Sequence, residues 1–362
     1  MAADPSRLPS PRERARHPGV RRRQAVGAPA GLTTFKVSSN ENPFPPLPAV
    51  LAAAARAAAE MNRYPDMGCH ALYDALAGHL GVPETRLAAG TGSVALIYQL
   101  LSAYCEPGDE VVYAWRSFEA FPIAAAAAGC ASVRVPVTSD GRHDLRAMTA
   151  AITDRTRVVI VCTPNNPTGP ALGHAELSGF LEAVPSRVLV VLDEAYREFV
   201  RSPDPVDGLA LADTHDNLAV LRTFSKAHGL AGLRVGYAVA AEPVATTLRA
   251  ITLPFGVSSV AQAAAVESLR HTDELLARVA ELVTRRKALV AALAEVGWRV
   301  PDAQGNFVWL ELGERTPAFA AAADQVGLAV RPFAGEGVRV TVAEPEANAR
   351  LVDLVATFTP AG

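Results

Sequence analysis

At 362 residues, half of them apolar and a fifth charged, the chain exceeds what one small core organises and suits one large and one smaller α/β domain. A formal net charge of −3 gives no global field to draw nucleic acid or a membrane surface, and no stretch approaches the apolar length of a spanning helix. The four cysteines (Cys69, Cys105, Cys130, Cys162) lie mostly in apolar runs with no metal-ligand or redox spacing. They read as small core residues of a reducing, cytoplasmic compartment, and no metal site is expected.

Residues 1–30 stand apart. Seven arginines against Asp4 and Glu13 make this segment formally +5, so the remainder carries −8. Rich in Pro and Arg and without hydrophobic period, it is expected to be a disordered basic tail rather than a signal peptide or a domain. From Leu47 to Glu60 the pattern is helical and Ala-rich. From Arg86, short apolar runs that predict strands (86–89, 110–114, 132–136, 157–162, 187–192, 218–222, 234–239) alternate with helical stretches such as 94–104, 118–129 and 174–183. That alternation predicts a mostly parallel sheet sandwiched by helices. After Pro254 the pattern changes to a helical run over 259–294, two short strands (Phe307–Leu310 and Val338–Val342) and a last helix from Pro345. The expected division is a large domain over 61–255 and a smaller α+β domain from 31–60 and 256–362.

Ligands of open α/β sheets bind beyond the carboxyl ends of the strands, and four polar clusters fall there. Gly90-Thr91-Gly92-Ser93 leads from a strand into a helix, where free N–H groups and small residues suit a phosphate, although a glycine-rich helix start is also an ordinary structural feature. Asn165-Asn166-Pro167-Thr168-Gly169 follows the apolar strand 157–162 and alone would be only a turn. Asp193-Glu194-Ala195-Tyr196 ends a buried strand, where a carboxylate is costly unless it caps a helix or meets a cation such as a protonated pyridine. Thr223-Phe224-Ser225-Lys226 precedes Leu230-Ala231-Gly232-Leu233-Arg234. A lysine whose pKa is lowered by desolvation and neighbouring cations forms a Schiff base with an aldehyde, whereas a lone loop lysine is a surface charge. Together, in this order, the clusters meet the needs of pyridoxal 5'-phosphate (PLP). Lys226 is the covalent amine and proton shuttle, and Asp193 the partner of the ring nitrogen. Tyr196 and Asn166 serve the phenolic oxygen. Gly92, Ser93, Ser225 and Arg234 clamp the phosphate.

On Asn62-Arg63-Tyr64-Pro65-Asp66, Asn165–Gly169, Asp193–Tyr196, Ser225-Lys226-Ala227 and Leu230–Arg234, the chain from about Phe35 onward resembles the fold-type I PLP aminotransferases of the histidinol-phosphate aminotransferase branch. The resemblance implies that Phe118 stacks on the cofactor ring. It also implies that Tyr64 reaches the phosphate from the second subunit of a homodimer, and that Arg339 binds the anionic group on the substrate's α-carbon. Catalysis is expected to rest on Lys226, Asp193 and Tyr196. An intact set of these residues speaks against a non-catalytic binding protein, and nucleic acid is not an expected partner.

The substrates implied are an amino acid and a 2-oxo acid such as 2-oxoglutarate. Apolar Val94-Ala95-Leu96 stands where histidinol-phosphate enzymes carry an acidic pair. Trp115–Glu119, Pro254–Ser259 and Asn306–Leu310 look like the bacterial aromatic amino acid aminotransferases. A pocket lined by Val94–Leu96 and Trp115–Phe118 is thus expected to take phenylalanine or tyrosine. Histidinol phosphate is the alternative, since an arginine pairs with carboxylate or phosphate alike. His228, where the family has Tyr or Phe, is expected to be a packing change.

Overall fold

A computed structural model describes residues 31–358; the basic segment expected over 1–30 lies outside the described residues. In chain order the strands are β1 (Phe35–Lys36), β2 (Leu87–Gly90), β3 (Glu110–Trp115), β4 (Ala131–Pro136), β5 (Thr156–Cys162), β6 (Leu189–Asp193), β7 (Leu218–Thr223), β8 (Gly236–Ala240), β9 (Phe307–Glu311), β10 (Leu328–Ala329), β11 (Arg331–Phe333) and β12 (Gly337–Thr341). The helices are α1 (Pro48–Ala58), α2 (His70–Leu80), α3 (Ser93–Tyr104), α4 (Ala120–Ala128), α5 (Leu145–Ala150), α6 (His174–Ala183), α7 (Gly208–Ala212), α8 (Glu242–Ile251), α9 (Ser259–Arg270), α10 (Thr272–Glu295), α11 (Thr316–Gln325) and α12 (Pro345–Thr357).

Seven strands form the large sheet in the order β2-β8-β7-β6-β5-β3-β4. Only β8 runs against the others, pairing antiparallel with both β2 and β7. The strands are apolar almost without interruption because both faces are covered. Val158 and Ile160 of β5 enter one core with α3, α4 and α8, while Val159 and Val161 enter another with α6. With β8 reversed, the connection from β7 to β8 leaves and re-enters the sheet at the edge where β2, β3, β5 and β6 end. The polar clusters expected at strand ends therefore share one rim.

A second sheet, β11-β12-β9, is antiparallel. Val308, Leu310, Val338 and Val340 turn to a core with α10, α11 and α12, and the alternate residues face the large domain. Helices α1 and α9, grouped by sequence with the smaller lobe, pack with α2 in one cluster against β2 and β8 of the large sheet. The single helical run expected over 259–294 is two helices. His271 leaves helical geometry (φ −108°, ψ 31°), with Arg270 closing α9 and Asp273 and Glu274 opening α10. Basic residues at a helix end followed by acids at a start fit both dipoles. No helix among the described residues is long and apolar enough to cross a membrane.

Candidate active site

Central strand β6 ends on Asp193, which is buried. Its Oδ1 accepts from the Ala195 N–H at 3.1 Å. Burial raises the carboxyl pKa to about 6, against the lowering effects of that N–H and of Lys226. Behind it Glu194 and Arg222 form a buried ion pair, Nε donating to Oε2 at 2.8 Å, that braces the ends of β6 and β7. A carboxylate held this way without a full counter-charge accommodates an additional cation.

From the β7–β8 connection, Lys226 Nζ donates to the carbonyls of Ser39 (3.0 Å) and Asn40 (3.2 Å) and stands 5.6 Å from the Tyr196 ring centroid. Loss of hydration, then the guanidinium groups of Arg339 and Arg234, bring its pKa down to about 7, opposed by Glu41 and Asp193. About half of such amines are neutral, hence nucleophilic, at pH 7. Ser225 Oγ accepts from Arg234 Nη1 at 3.2 Å. Arg234 holds a left-handed backbone (φ 55°) and reaches Gly92, the N-cap of α3, where φ is 85°. A Cβ on Gly92 would run into the Arg234 guanidinium. Gly92, buried Ser93, Ser225 and Arg234 thus converge on the start of a 12-residue helix, an arrangement that fits a phosphate.

Tyr196 is buried beside Phe307, and burial pushes its pKa up to about 12. Its hydroxyl oxygen accepts from Asn40 Nδ2 at 3.0 Å. Arg339, buried on β12, donates to Asn166 Oδ1 and to the Ser38 carbonyl, each at 2.5 Å, while its Nε has no partner. Asn166 thereby keeps its amide N–H groups for another acceptor. Lys226, Tyr196, Asn166 and Arg339 are joined by hydrogen bonds through the 38–40 segment, while Asp193 and Arg234 act on Lys226 through their charges.

Phe118 is half-buried and edge-on to Phe121 (5.6 Å), anchored at the rim of the core. Tyr64 is 82% exposed and stacks on Phe255 at 4.6 Å. The apolar pocket expected from Val94–Leu96 needs correction: Leu96 is fully buried in the core beneath α3, because helical spacing turns it away from the rim. Trp115 lies between the Arg116 and Arg134 guanidinium groups. Trp309 and Phe333 (5.4 Å) instead supply aromatic surface on the same sheet face as Arg339. His228 is a packing element, its Nδ1 2.6 Å from Ser268 Oγ and its ring 4.7 Å from Phe224.

Asn40 escapes the strand-end pattern. Wholly buried in left-handed conformation (φ 52°), it joins Tyr196, Lys226, Thr341 and Asn306. The polar run Ser38-Ser39-Asn40-Glu41-Asn42 before a proline was its available signal, since Asn tolerates that backbone. Among the described residues, no group of His, Cys, Asp and Glu is placed to hold a metal ion.

This polar rim at the switch from large sheet to small belongs to an aminotransferase: the chain is a member of the aminotransferase class I and II family, whose model matches residues 33–355. It is 61% identical over 321 residues, 89% of each chain, to an aromatic amino acid aminotransferase of Streptomyces avermitilis. To one of Thermobifida fusca it is 54% identical over 336 residues, 93% of each chain. Among solved structures, histidinol-phosphate aminotransferase from Sinorhizobium meliloti in complex with pyridoxal-5'-phosphate superposes with a TM-score of 0.84 at 29% identity, covering 90% of this chain and 92% of that one. N-succinyldiaminopimelate aminotransferase from Mycobacterium tuberculosis gives 0.81 at 26%, covering 90% and 94%.

Proposed function

We propose that this chain is a PLP-dependent aminotransferase that moves the amino group of phenylalanine or tyrosine to a 2-oxo acid such as 2-oxoglutarate. The observation that carries it is the Lys226 amine, held by the Ser39 and Asn40 carbonyls and brought near neutral pKa by burial and the Arg339 charge, in a family whose relatives at 50–61% identity are aromatic amino acid aminotransferases.

PLP bound here would supply a protonated pyridine ring able to accept the electron pair of a deprotonated α-carbon. The chain's own residues prepare that event. Gly92, Ser93, Ser225 and Arg234 would hold the phosphate, and Phe118 would flank the ring. Asp193, short of positive charge, would keep a proton on the ring nitrogen. Tyr196 O–H and the Asn166 amide would donate to the phenolic oxygen. Arg339 grips the α-carboxylate with its two-pronged guanidinium and so fixes the α-C–H toward Lys226. Neutral Lys226 Nζ takes that α-proton and later returns it.

Donor preference tests the substrate. With 2-oxoglutarate as acceptor, phenylalanine is expected to exceed histidinol phosphate in kcat/KM by at least about tenfold, equivalent to roughly 1.4 kcal/mol. A tenfold advantage for histidinol phosphate overturns the aromatic assignment and leaves the aminotransferase. The active unit proposed is a homodimer into whose second site Tyr64 reaches. Its support is the exposed group Met61, Tyr64, Met67, Leu253 and Phe255 on one rim of the large domain. Sedimentation is expected to give twice the chain mass, and a fully active monomer rules this out. Four cysteines, none of them in a disulfide, fit a cytoplasmic location.

A further inference from the structure

The face of the small sheet that carries Arg339 carries a second guanidinium beside it. In the antiparallel register Arg331 of β11 lies directly opposite Arg339, with Trp309 opposite on the other side. Directly opposed residues project to the same face with Cβ atoms roughly 4.5–5.5 Å apart. Two permanent positive charges side by side would create a strong anion site. They are not left as such, because Arg331 Nη2 donates to Glu119 Oε2 at 2.5 Å. Glu119 comes from the large domain, next to Phe118 and just ahead of α4. Arg339 senses both groups: burial chiefly lowers its pKa and Tyr196 opposes this, then Arg331 lowers it further and Glu119 raises it.

We propose that Glu119 sets which anion the substrate subsite accepts: by neutralising Arg331 it leaves the arginine pair with one net positive charge, matched to a monoanionic α-carboxylate and mismatched to a phosphate dianion. The inference rests on the aromatic amino acid assignment and names the residue that decides it. A carboxylate brings the Arg339–Arg331–Glu119 group to neutrality. A phosphate ester, near −2 above its second pKa of about 6, leaves an excess negative charge in a largely buried setting. The position of Glu119 does not hang on this ion pair alone. Arg116 is bound to Glu336 (Nε to Oε2, 2.6 Å), and Asn165 Nδ2 donates to the Arg116 carbonyl at 2.9 Å, so the 115–119 segment keeps two other anchors.

The test is Glu119→Gln in the holoenzyme, which keeps shape and removes charge. Calorimetric titration with inorganic phosphate at pH 8 should show at least about tenfold tighter binding than wild type. The kcat/KM ratio of phenylalanine to histidinol phosphate should move toward histidinol phosphate by a similar factor. In the double variant Glu119→Gln with Arg331→Gln, the gain in phosphate affinity should vanish. Phosphate affinity within twofold of wild type, or a gain that survives loss of Arg331, overturns the proposal. The phosphate titration uses no amino donor, so it judges Glu119 even where the wild-type donor panel contradicts the aromatic assignment.

Discussion

Lys226→Ala is expected to lower transamination by about 10⁴-fold while the protein still retains PLP through its phosphate contacts, because the substitution removes both the covalent amine and the base that moves the α-proton. The cofactor would remain held by Gly92, Ser93, Ser225 and Arg234, none of which depends on the lysine for its position: Arg234 is tied to Ser225 and the Ala231 carbonyl. Borohydride treatment followed by peptide mapping should place the reduced adduct on Lys226 in the wild type and nowhere in the variant. Near-normal turnover by Lys226→Ala would remove the central assignment. A milder loss, with the adduct found on another lysine, would redirect it.

Asp193→Asn should separate chemistry from folding in opposite directions. Turnover is expected to fall by at least about 10²-fold, with cofactor retention much less affected, since the carboxylate's charge is needed most as electron density reaches the ring. The cofactor-free protein should become more stable at the same time. Burial raises the Asp193 pKa from 3.8 to about 6. Between those values the folded state binds more protons than the unfolded one, so ionising Asp193 reduces stability as pH rises through that window, and the deficit is complete above pH 6. Asparagine has no such deficit. The cofactor-free variant should exceed wild type by an order-of-magnitude 2–3 kcal/mol at pH 7–8, with the difference closing toward pH 4. Denaturant titrations at the two pH values measure it. Equal stability at both would mean that Asp193 already has a counter-charge without cofactor.

How much of this was legible depended on whether the signal was local. Asp193, Asn166, Ser225 and Lys226 each follow an unbroken apolar run, and a buried strand that ends on a polar residue delivers that residue to a sheet edge whatever lies elsewhere in the chain. The edges of β3, β5 and β7 could be read for the same reason. The small domain offered less. Strand β11 has three residues, one of them proline, so no alternation reveals that Arg331 faces Arg339. Asn40 and Asn306 meet only through tertiary contact. Leu96 has sequence neighbours at the rim, but a helix sends residues one step apart to different faces, so its side chain lies in the core.

The hydrogen bond from the Asn40 backbone to Thr341 Oγ1 spans 301 residues. Synthesis runs at roughly 5–20 residues per second, so Asn40 emerges on the order of 15–60 s before the strand that completes its surroundings. The large sheet can assemble during that interval, since its last strand, β8, ends at Ala240. The hub joining Tyr196, Lys226 and Thr341 cannot. The cleft is therefore a closing event of biogenesis: a chain stopped short of β12 would hold the lysine and the aspartate on a folded sheet, without the element that brings Arg339 to them.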